Sequence, residues 1–113
     1  MPMINSKITV SVPQEKRDIL KSEFGKAVAI LGKPESYLML GFEDNYDLYF
    51  AGKKLEKGAF VSVQLFGSVN SDSASKMTNQ ICKIFNEVLQ IPSDKIYVTY
   101  QGIKEWGWNG SNF

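Results

Sequence analysis

Hydrophobic positions in this chain of 113 residues change their spacing in a regular order, from strand-like to helical and back. Residues 3–10 form a short apolar segment that predicts a strand. From 14 to 31 the apolar residues recur every three or four positions, which predicts an amphipathic helix with one buried face. Pro13 suits the first turn of this helix because its missing N–H costs nothing there. Gly32 then ends the helix, and Pro34 prevents it from resuming.

The segments after this helix are shorter. Residues 37–42 form a near-continuous apolar run, as expected for a strand that is covered on both faces. Residues 43–47 are a polar turn, and 48–50 predict a short edge strand. The charged stretch 53–58 is interpreted as a solvated loop.

After Gly58 the pattern restarts. Residues 59–66 predict a strand, and 72–90 predict a second amphipathic helix that ends before Pro92. The segment 96–100 is rich in β-branched and aromatic residues, which is typical of a strand.

The two halves of the chain repeat the same pattern at an offset of 58 residues, which sets Leu31 over Leu89. Identity between the halves, about residues 2–50 and 59–103, is low, so the repeat is one of pattern. A duplicated strand-helix-strand unit makes its two strands parallel, with a right-handed crossover. We therefore predict an α+β fold, an α/β sandwich whose four-stranded sheet carries both helices on one face. Apolar and aromatic residues remain for the other face, so we expect copies of the chain to cover it and pockets to form between subunits.

Composition limits the classes of function. The chain is 43% hydrophobic and 22% charged, which is typical of one globular domain spanning residues 1–113. No run approaches the roughly 18 apolar residues of a membrane span, and the start lacks the pattern of a secretory signal. We therefore expect a cytoplasmic protein with no membrane partner. A net charge of +1 without a dense basic cluster makes nucleic acid an unexpected partner.

Few groups in this chain can carry out acid–base chemistry. There is no His, and Cys82 is the only cysteine, so histidine triads, histidine or thiol metal sites and intrachain disulfides are excluded. No cofactor or metal is expected. Proton transfer would fall to carboxylates, Lys, Tyr or the N-terminus.

The N-terminus offers the most unusual group. Methionine aminopeptidase generally removes Met1 before a small residue, which would leave Pro2 with a free secondary amine. An α-amino group has a pKa of about 7.7–8.0 against roughly 10.4 for Lys, and burial or a nearby cation lowers it further. A base near neutrality suits proton abstraction next to a carbonyl. The alternative is a Met-Pro start that is merely trimmed, and an attached Met1 would make the Pro2 nitrogen an amide that cannot act as a base.

The C-terminal residues 102–113 carry Trp106, Trp108 and Phe113 among glycines. Such aromatic side chains either pack on a neighbouring subunit or line a pocket, and the pattern does not decide between the two.

Several short stretches together resemble the macrophage migration inhibitory factor (MIF) family of the tautomerase superfamily. They are Pro2 behind the initiator Met, Gly32-Lys33-Pro34, Tyr37, Ile96-Tyr97-Val98 and the ending Gly-Trp-Asn-Gly-Ser-Asn-Phe at 107–113. Each is weak alone, but their joint occurrence is specific, and the likeness covers the whole chain. The resemblance implies a homotrimer of the MIF-like fold, with a mixed sheet, two antiparallel helices and active sites between subunits. It also implies keto–enol tautomerase activity on phenylpyruvate-like and dopachrome-like substrates, which are small aromatic 2-keto acids and related compounds.

The resemblance assigns roles to residues near the substrate's reacting end. It implies that Pro2 is the catalytic base and that Lys33 binds the substrate carboxylate while keeping the Pro2 amine neutral. Lys33 could otherwise contact the last carbonyls of the first helix. Phe66, where the family usually has Ile, would offer its backbone N–H to the carboxylate. Tyr97 of an adjacent subunit would place its hydroxyl near the Pro2 nitrogen, unless it is an ordinary aromatic residue of the interface.

The same resemblance implies an apolar wall around the substrate ring. The side chains that would form it are Trp106, Trp108, Phe113, Tyr37 and Met3.

Three positions depart from the family pattern. Thr99 stands where the family usually has Asn, which leaves at best one hydroxyl contact to the carboxylate. Trp106 replaces a smaller Val and should narrow the pocket mouth. Gly58 and Val61 occupy the positions of the Cys-x-x-Cys of animal members, so a thiol oxidoreductase role is not available.

Other functions are also consistent with the resemblance. A cytokine-like signalling protein would bind a host cell-surface receptor, leave the cell without a signal peptide and keep a vestigial pocket. A related hydrolase or dehalogenase would need arginines, whereas the sole Arg17 lies on the outer helix. An inactive trimer is the remaining alternative.

Overall fold

The structure of the protein is a computed structural model that describes residues 1–113. The elements in chain order are β1 (Pro2–Ile8), α1 (Gln14–Ala27), β2 (Met39–Glu43), β3 (Tyr49–Phe50), β4 (Lys53–Lys54), β5 (Ala59–Phe66), α2 (Ser71–Leu89), β6 (Ile96–Ile103), β7 (Gly107–Trp108) and β8 (Ser111–Asn112). Short 3₁₀ turns lie at Val28–Leu31, Glu35–Tyr37 and Ser93–Lys95. None of the helices combines the length and the apolar character that crossing a membrane requires.

Four strands form one mixed sheet in the order β2-β1-β5-β6. The strands of each strand-helix-strand unit are parallel, and the two units meet through the antiparallel pair β1 and β5. Because each helix returns the chain between two parallel strands, the two helices run antiparallel to each other. The predicted α+β architecture with a duplicated unit is therefore confirmed.

The core lies between the helices and one face of the sheet. Alternate residues of β1 and β5, such as Ile4 and Val61, are fully buried against both helices. At the centre, the ring of Phe24 on α1 meets the ring of Phe85 on α2 edge-on, with 5.6 Å between centroids. Replacing such a buried ring by Ala typically costs about 3–5 kcal/mol of folding free energy.

The helix ends follow local chemistry. Pro13 lies in an extended conformation and its carbonyl accepts hydrogen bonds from the first turn of α1. Gly32, with φ +71°, closes the 3₁₀ turn that continues this helix. The side chain of Asn70 accepts a 2.9 Å hydrogen bond from the Ser73 N–H and caps α2. Helix α2 ends one residue earlier than predicted, because Gln90 adopts a left-handed conformation with φ +55°.

The prediction for residues 37–42 is wrong in two respects. Tyr37 belongs to a 3₁₀ turn that follows extended Pro34, and the strand begins only at Met39. The strand is also not covered on both faces. It is an edge of the sheet, where Leu40 packs on the core while Met39 is 66% exposed.

Two small hairpins lie outside the main sheet. Part of the predicted charged loop, Lys53–Lys54, pairs as a strand with Tyr49–Phe50, while both lysines stay exposed to solvent. In the C-terminal tail, β7 pairs with β8. Both turns have two consecutive residues with positive φ, the geometry that tight hairpins prefer.

The sheet face opposite the helices carries polar side chains together with apolar and aromatic ones, among them Met3, Phe60, Phe66 and Tyr97. The residues that alternate with the buried ones include Asn5, Lys7, Ser62, Gln64, Thr99 and Gln101. The Asn5 amide donates a 2.8 Å hydrogen bond to the Glu43 carboxylate across this face.

Ser6 provides a test of the packing. Its hydroxyl is fully buried on β1 and has no hydrogen-bond partner. We expect Ser6→Ala to leave the free energy of unfolding unchanged or to raise it by up to about 1 kcal/mol, because an unpaired buried hydroxyl destabilises the fold. Urea denaturation at fixed protein concentration measures this. The matched variant Ser62→Ala lies on the sheet face opposite the helices, and its free energy of unfolding should stay within about 0.5 kcal/mol of the unmodified protein. A loss above about 1 kcal/mol in Ser6→Ala would show that the hydroxyl is satisfied.

Candidate active site

A cavity of about 450 Å³ opens at the first residue of β1. This volume lies in the range of small-molecule sites. Three parts of the chain build it: the start of β1, the turn before β2 and the C-terminal hairpin. The lining residues are Met1, Pro2, Met3, Ser36, Tyr37, Leu38, Met39, Trp106, Gly107 and Trp108.

The pairing of β1 fixes the N-terminal residues in this cavity. Pro2 is buried and lies opposite Leu65 of β5, while Met3 pairs with Met39 of β2. Pro2 is thus paired with β5 at the start of a central strand, next to a residue that is also paired with β2, and a proline at this position does not interrupt the ladder.

Aromatic rings connect the C-terminal hairpin to the rest of its own chain. Tyr37 meets Trp108 edge-on at 5.7 Å between centroids, and Trp108 stacks on Phe113 at 6.2 Å. Phe113 in turn contacts Phe66 at 5.4 Å. Trp106 and Trp108 line the cavity of the single chain, whereas Phe113 does not.

Lys33 reaches the end of β5 and not the carbonyls of the first helix. Its Nζ donates a 3.3 Å hydrogen bond to the Phe66 carbonyl. The left-handed Gly32 before it turns the chain away from the helix axis, which directs the lysine toward the N-terminus.

The backbone of Phe66 also contacts the N-terminal residue. The Phe66 N–H donates a 3.1 Å hydrogen bond to the Met1 carbonyl oxygen. Phe66 thus links Lys33 to Met1, which lines the cavity. Three of the predicted site residues, Lys33, Phe66 and Phe113, are not themselves among the lining residues.

The terminal amine in this position is easier to deprotonate than usual. Burial lowers the pKa of the Met1 amine below its ordinary value of 8.0, and the positive charge of Lys33 lowers this pKa further. Both effects shift the terminal amine toward its neutral form.

Tyr97 and Thr99 do not lie near this cavity in the single chain. Tyr97 is 60% exposed and packs on the Phe50 ring at 5.7 Å. It lies opposite Phe60 of β5, whereas Pro2 lies opposite Leu65. This difference of five residues is a separation of roughly 17 Å along the strand. The two residues could join the cavity only from another copy of the chain.

Four lining residues were not predicted from the sequence: Ser36, Leu38, Met39 and Gly107. Met39 could have been found from the parallel pairing that sets it beside Met3. Ser36 and Leu38 depend on the turn after Pro34, which the hydrophobic pattern does not reveal.

Comparison with known proteins identifies the class. The whole chain, residues 1–113, matches the family model of macrophage migration inhibitory factor (MIF). Macrophage migration inhibitory factor of Xenopus laevis is 27% identical, with 100% of this chain and 99% of that protein aligned. The crystal structure of Leishmania major MIF2 superposes with a TM-score of 0.93 at 33% identity, covering 100% of this chain and 97% of that one. The homologue from Prochlorococcus marinus has a TM-score of 0.88 at 28% identity, with 98% of each chain covered.

These matches place the fold in the tautomerase superfamily. The chain belongs to the MIF family, as the resemblance in its sequence predicted.

Lys33 allows a direct test of the site's electrostatics. We expect Lys33→Gln to raise the pKa of the terminal amine, because one repulsive charge is lost while burial remains. An NMR titration of the amine measures this pKa. Lys26→Gln, an exposed position on α1, is the matched control and should leave it unchanged.

The depressed amine pKa also sets a pH dependence of folding. The pKa of the Met1 amine is 8.0 in the unfolded chain and lower in the folded protein, so between these two values the unfolded chain binds the proton more tightly. Stability that is present above pH 8.0 is therefore lost as the pH falls through this window. The loss should shrink in Lys33→Gln. An equal pH dependence in both proteins would contradict the assigned role of Lys33.

Proposed function

We propose that this protein is a keto–enol tautomerase in which the Pro2 amine, freed by removal of Met1, is the catalytic base. Its substrates would be phenylpyruvate-like and dopachrome-like compounds. One observation carries the proposal: buried Pro2 begins a central strand and lines the aromatic cavity of about 450 Å³, and the charge of Lys33 acts on the terminal amine beside it. Membership of the MIF family supports a tautomerase or isomerase activity in general.

The proposal requires a neutral amine near pH 7. Removal of Met1 would turn the Pro2 nitrogen from an amide into a secondary amine at a buried position. The causes that lower the pKa of the Met1 amine, burial and the Lys33 charge, would act on the Pro2 amine as well. A base whose pKa lies near the working pH is the most effective in proton transfer.

Loss of Met1 would also create a place for an anion. The Phe66 N–H now donates to the Met1 carbonyl oxygen, which stands in for an oxygen of the substrate carboxylate. Without Met1 this N–H would be unpaired, and a carboxylate oxygen could accept from it while Lys33 supplies the opposite charge. The substrate carboxylate would then be held at a fixed distance from Pro2.

The reaction follows from this placement. Pro2 removes a proton from the carbon next to the ketone, and the electron pair of that bond forms the carbon–carbon double bond. The carbonyl electrons move to the oxygen, which solvent protonates to give the enol. In the reverse direction the protonated Pro2 amine returns its proton to the carbon. The aromatic ring would lie among Tyr37, Trp106 and Trp108.

The developing enolate needs a hydrogen-bond donor that the single chain does not bring to Pro2. We infer that Tyr97 of the partner subunit supplies this donor in a homotrimer. Tyr97 is exposed in the single chain and does not line the cavity of that same chain, which supports this arrangement. Thr99 lies two residues further along β6 and would contribute one hydroxyl near the same cavity. Met3, Phe66 and Phe113 complete the proposed substrate site.

The base is tested by Pro2→Gly. We expect phenylpyruvate ketonisation to fall by about 10² to 10⁴ in kcat/KM, because the secondary amine is replaced by a less constrained primary amine. Intact mass must first show that Met1 is absent from both proteins. Pro13→Gly, at the start of α1, is the matched control and should keep its activity. Unchanged turnover in Pro2→Gly would rule out Pro2 as the base.

The shared site is tested by mixing subunits. Homotrimers of Pro2→Gly and of Tyr97→Phe should both be weak, but co-refolded subunits should form intact sites that combine Pro2 of one chain with Tyr97 of the next. If the two kinds of subunit mix at random in a closed ring, roughly one quarter of the sites combine an intact Pro2 with an intact Tyr97. Light scattering should give three times the 12.7 kDa chain mass. Mixtures no more active than the average of their parents would contradict a shared site.

A further inference from the structure

We propose that Phe50 is a positioning residue for the site of the neighbouring subunit, because its ring holds Tyr97 in one orientation. This inference rests on the proposed function, in which each chain lends its Tyr97 to the Pro2 cavity of the next chain. Phe50 does not line the Pro2 cavity of its own chain, so it would act on the reaction only through Tyr97. The hairpin of β3 and β4 would thereby serve catalysis.

Tyr97 has little support from its own sheet. It lies on β6, which is an edge strand, so a strand of the same chain runs on one side of it only. Its neighbour on that side is Phe60 of β5, and Tyr97 remains 60% exposed. A side chain in such a place commonly adopts more than one staggered conformation about χ1. A hydroxyl that moves in this way is a poor donor, because a catalytic donor must already point at the place where charge develops.

Phe50 restricts this freedom from outside the main sheet. Its ring meets the ring of Tyr97 edge-on, with 5.7 Å between centroids and 66° between the ring planes. Edge-to-face packing at such a separation is a favoured geometry of aromatic pairs. The rings of Phe50, Phe60 and Tyr97 also line one narrow cavity, which belongs to the subunit contact because Tyr97 does. Tyr97 thus has an aromatic neighbour on the hairpin as well as one on β5.

The hairpin fixes Phe50 in turn. Phe50 pairs with Lys53, and the turn between them has positive φ at Ala51 and Gly52. Below the two short strands, the Leu55 N–H donates a 2.9 Å hydrogen bond to the Leu48 carbonyl and closes the hairpin. The backbone at Phe50 is therefore held on the strand side that faces Lys53.

Lys95 ties this hairpin to the strand that carries Tyr97. Its ammonium lies 5.0 Å from the centre of the Phe50 ring, within the range of a cation–π contact. Lys95 ends the 3₁₀ turn that leads directly into β6, two residues before Tyr97. Phe50 therefore contacts the start of β6 at two points, through the Lys95 ammonium and through the Tyr97 ring.

The first test is Phe50→Leu, which keeps an apolar side chain but removes the ring. We expect kcat for phenylpyruvate ketonisation to fall by roughly three- to tenfold, the value of one aromatic pair. KM should change by less than about twofold, because Tyr97 would act on the developing enolate and not on the bound ketone. Phe50→Tyr keeps the ring and should retain kcat. Light scattering must show a trimer for each variant.

Two further variants support this measurement. Tyr46→Leu is the matched control, because the Tyr46 ring lies near Lys7 and its loss should leave kcat unchanged. Lys95→Gln keeps the Phe50 ring but removes the cation beside it, and it should lower kcat by about twofold. This variant keeps the test available if Phe50→Leu does not form a trimer.

A double-mutant cycle shows whether Phe50 acts through the Tyr97 hydroxyl. Tyr97→Phe keeps the ring but lacks the hydroxyl that Phe50 would orient. Adding Phe50→Leu, or Lys95→Gln, to Tyr97→Phe should therefore lower kcat by less than about twofold further. Losses that multiply in full would overturn the proposal, because Phe50 would then affect the reaction by another route.

Mixed trimers test whether Phe50 serves in the same chain as Tyr97. Co-refolded Phe50→Leu and Pro2→Gly subunits form some sites with Pro2 from one chain and both aromatic residues from the next. Their activity should exceed the average of the parents by about two- to fivefold if assortment is random. A mixture of Phe50→Leu and Tyr97→Phe should equal that average, because every chain then lacks one of the two residues. The reverse pattern would overturn the proposal.

The same variants separate this inference from the proposed function. If Pro2→Gly or Tyr97→Phe keeps full activity, the proposed function fails and this inference fails with it. If both lose activity while Phe50→Leu and Lys95→Gln keep full kcat, only the role of Phe50 is overturned. A loss in Phe50→Tyr as large as in Phe50→Leu would also overturn it, since the ring would not be what matters.

Discussion

The antiparallel pairing of β1 with β5 is the constraint on which the site depends. It joins the two strand-helix-strand units into one sheet, and it places the first residue of the central strand opposite Leu65. On its other side β1 pairs with β2 from Met3 onward, so the residue after Pro2 is held by strands on both sides. Proline lacks a backbone N–H, and a strand's first position is where this lack matters least. The fold thus holds one particular nitrogen in a fixed, buried place.

A second constraint acts through charge. Burial near the sheet end disfavours a protonated amine, and Lys33 adds a repulsive charge from the turn that follows Gly32. The same lysine donates to the Phe66 carbonyl, while the Phe66 N–H points to the Met1 carbonyl. One cation therefore serves two purposes in the proposed mechanism, since it keeps the base neutral and attracts the anionic substrate.

Much of the fold could be predicted because the hydrophobic spacing repeats. The offset that sets Leu31 over Leu89 gave both helices, the pairing within each unit and the single helical layer. The prediction failed where neighbours in space decide the outcome. The apolar run 37–42 resembled a strand covered on both faces, but its place at the sheet edge left Met39 exposed, and Pro34 placed Tyr37 in a turn. The two hairpins depend on positive φ at residues such as Ala51 and Asn109, which hydrophobic spacing does not report.

The site could be predicted in part for a similar reason. Pro2, Met3, Tyr37, Trp106 and Trp108 were named from the family resemblance, and the structure gathers them around one cavity. Tyr97 and Thr99 lie elsewhere in the single chain, so their role depends on the assembly and stays a prediction.

The central claim is that the secondary amine of Pro2 is the reactive group. The most direct measurement compares two preparations of the same chain, one made with methionine aminopeptidase active and one with it inhibited, after intact mass has shown that they differ by one Met. Both should fold alike, because Met1 precedes β1 and lies in the cavity, outside the buried core. The account predicts that the trimmed protein ketonises phenylpyruvate and that the protein retaining Met1 is slower by at least about 10². Equal rates in the two preparations would contradict it.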